Sequence, residues 1–285
     1  MQLCNFATIR SGKGFQHVTT LQLLQLILII TTMTPKTAQT ILKAMKYCNE
    51  SERKDFILNY VNDKKTMNYE NLKGGNITDK IKVYNCDNME LMRQTPDKYY
   101  DWVCIDPPYG LGKRLSDGGG KLKNTPMAEL YREKEWDVLP NEQYWEEVFR
   151  ISKNQIVFGA NYFLEYLPNT RGFVCWDKKQ DMPTLSACEL VWTSLDKPAK
   201  IMRKSSMDLK RFHPTQKPTY VYSFMFDYCK VSTTDKILDT HGGSLSIALA
   251  CHDYGFDLTV CELDEDYYND GVKRLKTHIQ QQTLF

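Results

Sequence analysis

Two hydrophobic periods alternate along residues 80–281, whereas residues 1–35 show no clean period. Short apolar runs of strand character fall at 81–86, 101–105, 155–158, 173–176, 190–193, 237–238 and 258–261. Between them, apolar positions recur at helical spacing over 89–94, 141–152 (Tyr144, Val148 and Ile151 inward), 218–229, 244–254 and 264 to 281. Pro218 stands in the first turn of its helix, where a missing N–H costs nothing. Such alternation predicts an α/β fold, a parallel sheet with helices on both faces. Upstream, 36–48 (Ile41, Leu42, Met45) and 51–62 (Phe56, Ile57, Tyr60, Val61) predict two short helices, with Asn49-Glu50-Ser51 as break and N-cap. The polar stretch 62–79, with Gly74-Gly75, predicts a linker, and Met67 is a natural start for a self-sufficient domain. The expected organisation is therefore an N-terminal extension at 1–77 and one working domain at 78–285.

Composition changes this picture little. A chain of 285 residues, 42% hydrophobic and 25% charged, can bury a sizeable core. A net charge of +2 neither demands nor excludes nucleic acid, because a local basic groove matters more than the total. The 9 cysteines include no Cys-x-x-Cys pair, and Cys86, Cys104, Cys175 and Cys261 lie in or beside apolar runs. That pattern predicts buried free thiols in a reducing cytoplasm, with neither disulfides nor a metal site. The apolar run at 21–30 is interrupted by Gln22 and Gln25 and is far short of the roughly 20 residues a membrane span needs. Arg10 and Lys13 precede it, but no small-x-small cleavage pattern follows. It is expected to be a buried segment or part of the extension.

Candidate chemistry starts at Asp106-Pro107-Pro108-Tyr109, which closes the run Trp102-Val103-Cys104-Ile105. Two prolines stiffen the C-terminal end of a buried strand, and ligands of open α/β sheets bind at that edge. An acceptor, a rigid backbone and an aromatic face suit a planar ring bearing an exocyclic amine. Tyr109 offers the stacking face, while Asp106 and a backbone carbonyl receive the amine. Adenine is such a ring.

A second constellation follows at 236–262. Strand Lys236-Ile237-Leu238-Asp239 leads through Thr240-His241-Gly242-Gly243-Ser244 into a helix, and about 20 residues on the next strand ends in Glu262. The glycines admit close approach of a ligand, the helix N-terminus offers free N–H groups, and an acid at this offset suits ribose hydroxyls. Gly-x-Gly-x-x-Gly is absent, which opposes a nicotinamide cofactor. A third motif is His213-Pro214-Thr215-Gln216-Lys217-Pro218; Lys217 at a helix start is a fitting seat for a carboxylate, and His213 is expected to be structural.

Asp106-Pro107-Pro108-Tyr109 resembles the catalytic motif of the amino-methyltransferases, which transfer a methyl group from S-adenosylmethionine to a base nitrogen. The glycine motif and the His213–Lys217 stretch resemble two further motifs of that family. The catalytic motif precedes the cofactor motifs, which is similar to the circularly permuted β group of N6-adenine and N4-cytosine DNA methyltransferases, phage and prophage enzymes among them. The resemblance covers about residues 78–281 and implies a Rossmann-like methyltransferase sheet. It implies S-adenosylmethionine held by Asp87, Lys217, Asp239, His241, Gly242, Gly243, Ser244 and Glu262. Asp87 has a competing reading as a helix cap. Thr240, His241 and Leu245 depart from the family's Pro, Phe and last Gly, and Leu245 either narrows the pocket or faces the core. The helix start itself shows no sign of distortion.

The resemblance further implies catalysis by Asp106, Pro107, Pro108 and Tyr109 on an adenine flipped out of duplex DNA, Asp at the first position favouring adenine over cytosine. Asp106 and the Pro107 carbonyl would accept the amine's two N–H bonds and aim its lone pair. Phosphate contacts are expected from an inserted loop at 110–140 (Lys113, Arg114, Lys121, Lys123) and from a small recognition region at 177–212 (Lys178, Lys200, Arg203, Lys204, Arg211). No protein partner is implied, and a solitary modification enzyme is favoured over one paired with a nuclease. The competing functions are N4-cytosine methylation, an RNA or protein-glutamine methyltransferase, and a catalytically silent DNA-binding protein of the same fold. An Asn in place of Asp106 and a leading cofactor motif would mark the RNA or protein enzymes. Leu245 and the 66 residues before Met67 motivate the silent protein.

Overall fold

The computed structural model describes residues 69–110, 137–180, 186–205, 213 and 216–282. Its strands are β1 (Lys73–Asn76), β2 (Ile81–Asn85), β3 (Tyr100–Ile105), β4 (Ser152–Val157), β5 (Phe173–Asp177), β6 (Cys188–Thr193), β7 (Lys200–Arg203), β8 (Lys236–Asp239) and β9 (Asp257–Glu262). Its helices are α1 (Asn88–Gln94), α2 (Glu142–Ile151), α3 (Thr219–Cys229), α4 (Ser246–Tyr254) and α5 (Glu265–Gln282). The strands form one sheet in the order β1-β2-β9-β8-β3-β4-β6-β5-β7. The last two strands of the chain, β8 and β9, thus lie between β2 and β3.

The sheet has helices on both faces, and alternate residues of β3 show it. Trp102 and Cys104 join a core with Val221, Met225 and Phe226 of α3, Ile247 and Ala248 of α4 and Leu275 of α5. Val103 and Ile105 join a second core with Leu91 and Met92 of α1 and Trp145, Val148 and Ile151 of α2. A strand covered on both sides needs a continuous apolar run, which β3 has. Helix α2 starts where the Asn141 side chain accepts the Tyr144 N–H at 3.0 Å, and it buries Tyr144, Trp145, Val148 and Ile151 as its spacing predicts.

Three expectations need correction. The sheet is mixed: β6 runs antiparallel to both β4 and β5, and β1 runs antiparallel to β2, whose connection at 77–80 is too short for a parallel crossover. The expected linker contains β1, in which Gly74 and Gly75 hold φ of 121° and 139° that other residues rarely adopt. Strand β7 lies in a stretch read only as a run of charges. Seven described cysteines are free thiols, Cys104 and Cys261 buried, Cys86 and Cys175 half-buried. Among the described residues no helix is long and apolar enough to cross a membrane.

Candidate active site

Strands β2, β9, β8, β3 and β4 are mutually parallel, so their C-terminal ends open on one edge. That edge gathers Asp87 after β2, Glu262 at the end of β9, Asp239 at the end of β8 and Asp106 after β3.

Both oxygens of Asp106 are engaged. The Tyr109 hydroxyl donates to Oδ1 at 2.7 Å, and Lys217 Nζ lies 2.9 Å from Oδ2. Burial pushes the Asp106 carboxyl up, against the pull of the Lys217 ammonium. Burial also raises Tyr109 well above its ordinary value, so its phenol remains a donor. Lys217 is shared with Glu189 of β6, whose Oε1 stands 2.8 Å away; Oε2 of that carboxylate lies 3.0 Å from Lys178 Nζ. Burial disfavours the Lys217 ammonium, but Asp106 and Glu189 outweigh it and hold its value up. Burial likewise opposes the Glu189 carboxylate, yet Lys217 and Lys178 hold it below the usual range. Two acids and two ammonium groups balance in this chain of contacts, which is what lets Glu189 and Lys217 stay charged at 5% and 6% exposure.

The Tyr109 ring stacks on Tyr162, 4.5 Å between centroids and 14° between planes. Gly159, at φ 61°, makes room for it: a Cβ there would sit 2.2 Å from the ring. Glu189, Gly159 and Tyr162 escaped the sequence reading. Their signals were a carboxylate in phase with inward-facing Val191 and Thr193, and a Gly followed by an aromatic just past a strand end.

Residues of the glycine turn are held by a separate network. Glu262 Oε2 accepts the Gly243 N–H at 2.5 Å and Oε1 accepts the Asp264 N–H at 2.8 Å. Burial raises Glu262 while those backbone donors oppose the rise. Asp239, 1% exposed, accepts the His241 N–H at 3.0 Å, and burial pushes it up to about 8. Burial lowers His241 to about 3, so its ring is neutral. Asn88 Nδ2 donates to His241 Nε2 at 3.0 Å, which leaves the proton on Nδ1, 2.9 Å from Thr240 Oγ1. Ser244 Oγ meets Ser246 Oγ at 3.0 Å, and the Ser244 carbonyl accepts from Arg274. Asp87 caps α1, accepting the Met89 N–H at 2.7 Å. His213 packs on Tyr267, 4.2 Å between centroids, and against Gly243. His213 therefore stands at the glycine turn and Lys217 at Asp106.

Leu245 takes a left-handed conformation, φ 55° and ψ 29°, immediately before α4, so the helix starts at Ser246 and its start is distorted after all. A glycine would fit such a backbone without strain. The Leu245 side chain is fully buried and turns into the core: added Cβ atoms at Gly242 and Gly271 would lie 2.8 and 2.7 Å from it. Gly271 of α5 thus vacates the space that Leu245 fills.

No protein-family model matches the chain, and no curated protein matches it. Among solved structures, PvuII DNA methyltransferase (cytosine-N4-specific) is similar with a TM-score of 0.51 and 14% identity, over 74% of this chain and 96% of that one. The chain shares its fold with that enzyme. The M1.HpyAVI–SAM complex is also similar, at a TM-score of 0.45 and 21% identity, over 68% of this chain and 98% of that one.

On this sheet the basic residues divide. Strands β5 and β7 run in the direction of β3, so Lys178, Arg203 and Lys204 lie toward the Asp106 edge. Lys178 is turned onto Glu189, Arg203 Nε lies 3.7 Å from Asp177 Oδ2, and Lys204 Nζ sits 4.1 Å above the Tyr220 ring. Lys200 starts β7 at the opposite end, 5.9 Å from the Tyr228 ring. Lys113, Arg114, Lys121, Lys123 and Arg211 lie outside the described residues.

Proposed function

We propose that this chain is an S-adenosylmethionine-dependent DNA methyltransferase acting on the N6 amine of adenine, with residues 78–285 and the β1 strand before them as its working domain. One observation carries the reading: the Asp106 loop and the Asp239–Glu262 turn, more than 130 residues apart in sequence, open on the same sheet edge. The placement of β8 and β9 at the middle of the sheet supports the circularly permuted order.

The residues present fit the cofactor. Each Glu262 oxygen spends one lone pair on a backbone donor and keeps another for a ribose diol. Asp239 offers a buried polar group beside it, and α4 begins with no side-chain cap on its N–H groups, a seat for a carboxylate. When bound, S-adenosylmethionine supplies an electrophilic methyl group. The rest falls to the chain's own residues. Asp106 accepts one N–H of the target amine, the Pro107 carbonyl accepts the other, and the lone pair is freed from the ring. Lys217 offsets the burial that would otherwise protonate Asp106. Because the Tyr109 hydroxyl holds Asp106 Oδ1, an arriving amine displaces it, and the Tyr109 ring is then the stacking partner. Lys178, Arg203 and Lys204 are assigned to the DNA side of this edge. Asp at position 106 favours adenine; N4-cytosine methylation uses the same amine contacts.

Titration calorimetry with S-adenosylmethionine, followed by transfer of a labelled methyl group to unmethylated DNA or RNA, tests the reading. Saturable binding and label in DNA are expected. A protein that binds no cofactor sinks it, and label in RNA alone reassigns the substrate.

A further inference from the structure

Glu189 has no part in the substrate and cofactor contacts assigned above, yet it is tied into the site through Lys217, Lys178 and Tyr109. It stands 5% exposed on β6, with Lys217 at 2.8 Å, Lys178 at 3.0 Å and the Tyr109 hydroxyl at 3.3 Å. Lys217 in turn lies 2.9 Å from Asp106. With Glu189 ionised, the two acids and two ammonium groups sum to zero. Without it they sum to one positive charge. That matters because of what the amine becomes. As the new N–C bond forms and the S–C bond breaks to leave a neutral sulfur, the positive charge passes to the base nitrogen, which then gives one proton to the Asp106 carboxylate that accepts its N–H, and from there to water. In a site this dry, an excess positive charge a few ångströms away opposes that development.

We infer that Glu189 is a positioning residue for the methyl transfer: it draws the Lys217 ammonium between two carboxylates, so that Lys217 does not neutralise Asp106 in full and the Asp106 charge stays available to the substrate amine. The inference rests on the proposed methyl-transfer reading. It also accounts for Lys178, which lies on the far side of Glu189 and holds that carboxylate ionised. The groups facing Asp106 are Lys217, Glu189 and Tyr109, with Asp239 from β8, Tyr222 from α3 and Cys104 from β3 further back.

The test compares the parent with Glu189→Gln, Lys217→Met and the double variant, all checked for an unchanged thermal midpoint. Glu189→Gln should lower kcat by about ten- to a hundredfold while the KM for DNA and cofactor affinity move by less than about threefold. Removing Lys217 as well restores the charge balance, so the double variant should recover most of the lost kcat. The double variant also keeps the test open if Glu189→Gln alone does not fold. A second readout needs no substrate. In carboxyl carbon NMR titrations, Glu189→Gln removes a like charge and should move the Asp106 midpoint down, whereas Lys217→Met should move it up. A Glu189→Gln protein with parental kcat, or an Asp106 titration that this variant leaves in place, overturns the inference. So does loss of activity that the double variant fails to relieve, since a purely structural role gives that result. If the titrations move as expected while the parent methylates no nucleic acid, the charge relation stands and the proposed function fails.

Discussion

Replacing Leu245 by Gly puts opposed effects on one residue, and their sizes can be worked out. Leu245 is fully buried, so truncation to Ala should cost about 2–5 kcal/mol and Gly somewhat more. Its φ of 55° lies in the left-handed region, where a side chain costs roughly 1–2 kcal/mol that Gly would recover, less about 0.5–1 kcal/mol of extra chain entropy. Packing wins, leaving a net loss of about 2–4 kcal/mol, or about 5–15 °C in Tm for a domain of this size. Cofactor affinity should stay within about threefold, because the side chain points at Gly242 and Gly271. Gly271→Ala supplies the complement. Its Cβ would meet Leu245 Cγ at 2.7 Å, so alone it should destabilise by about 1–3 kcal/mol, and in a Leu245→Ala background it should be neutral or stabilising. Urea denaturation of the four proteins gives the coupling, and calorimetry with S-adenosylmethionine gives the affinity. A Leu245→Gly protein as stable as the parent, or one that binds cofactor tenfold more tightly, refutes the reasoning and puts Leu245 in the pocket.

Other perturbations are expected to act as follows. Asp239 keeps its proton to about pH 8 when folded but loses it near 3.8 when unfolded, so its contribution is full below that lower value and falls as pH rises toward 8, by at most about 1.4 kcal/mol per unit. Asp239→Asn should remove that fall; an unchanged slope between pH 6.5 and 8 in denaturation at stepped pH argues against it. His241, neutral down to about 3, acts in the opposite sense and costs stability as pH drops below 6.5, so His241→Asn should be the less acid-sensitive protein. Glu262→Ala should weaken S-adenosylmethionine binding about ten- to a hundredfold by calorimetry, and parental affinity would remove Glu262 from the site. Tyr109→Phe keeps the ring against Tyr162 and frees Asp106 Oδ1, so its KM for DNA should fall or hold, while Tyr109→Ala should lose at least tenfold in kcat/KM. Equal losses in the two would show that stacking is not what Tyr109 provides.

What the sequence made legible follows from how local each signal is. Trp102–Ile105 and its two prolines announce a covered strand and its rigid end within a few residues, and α2 declares itself through Asn141 and its inward apolar set. Gly74-Gly75 misled because paired glycines usually mark a turn; here an edge strand closes against β2, with the Val83 carbonyl only 2.3 Å from where a Gly74 Cβ would stand. Lys200-Ile201-Met202-Arg203 carries too few apolar positions to reveal β7, and only its pairing with β5 makes a strand of it. The acids Asp106, Asp239 and Glu262 were legible because strand ends are. Glu189 was not, because its partners lie 11 and 28 positions away along the chain and meet it only when β5, β6 and the segment before α3 converge. Leu245 was legible as a departure from a pattern but not in its backbone, since the compensation sits at Gly271 on another helix.

The central claim is that Asp106 activates the amine of an adenine in DNA. Parent and Asp106→Ala proteins, incubated with S-adenosylmethionine and unmethylated duplex DNA, should be compared by mass spectrometry of the digested nucleosides. The account predicts N6-methyladenine from the parent and none from a folded Asp106→Ala protein that still binds the cofactor. N4-methylcytosine in its place contradicts the choice of base, and equal N6-methyladenine from the two proteins contradicts the role of Asp106.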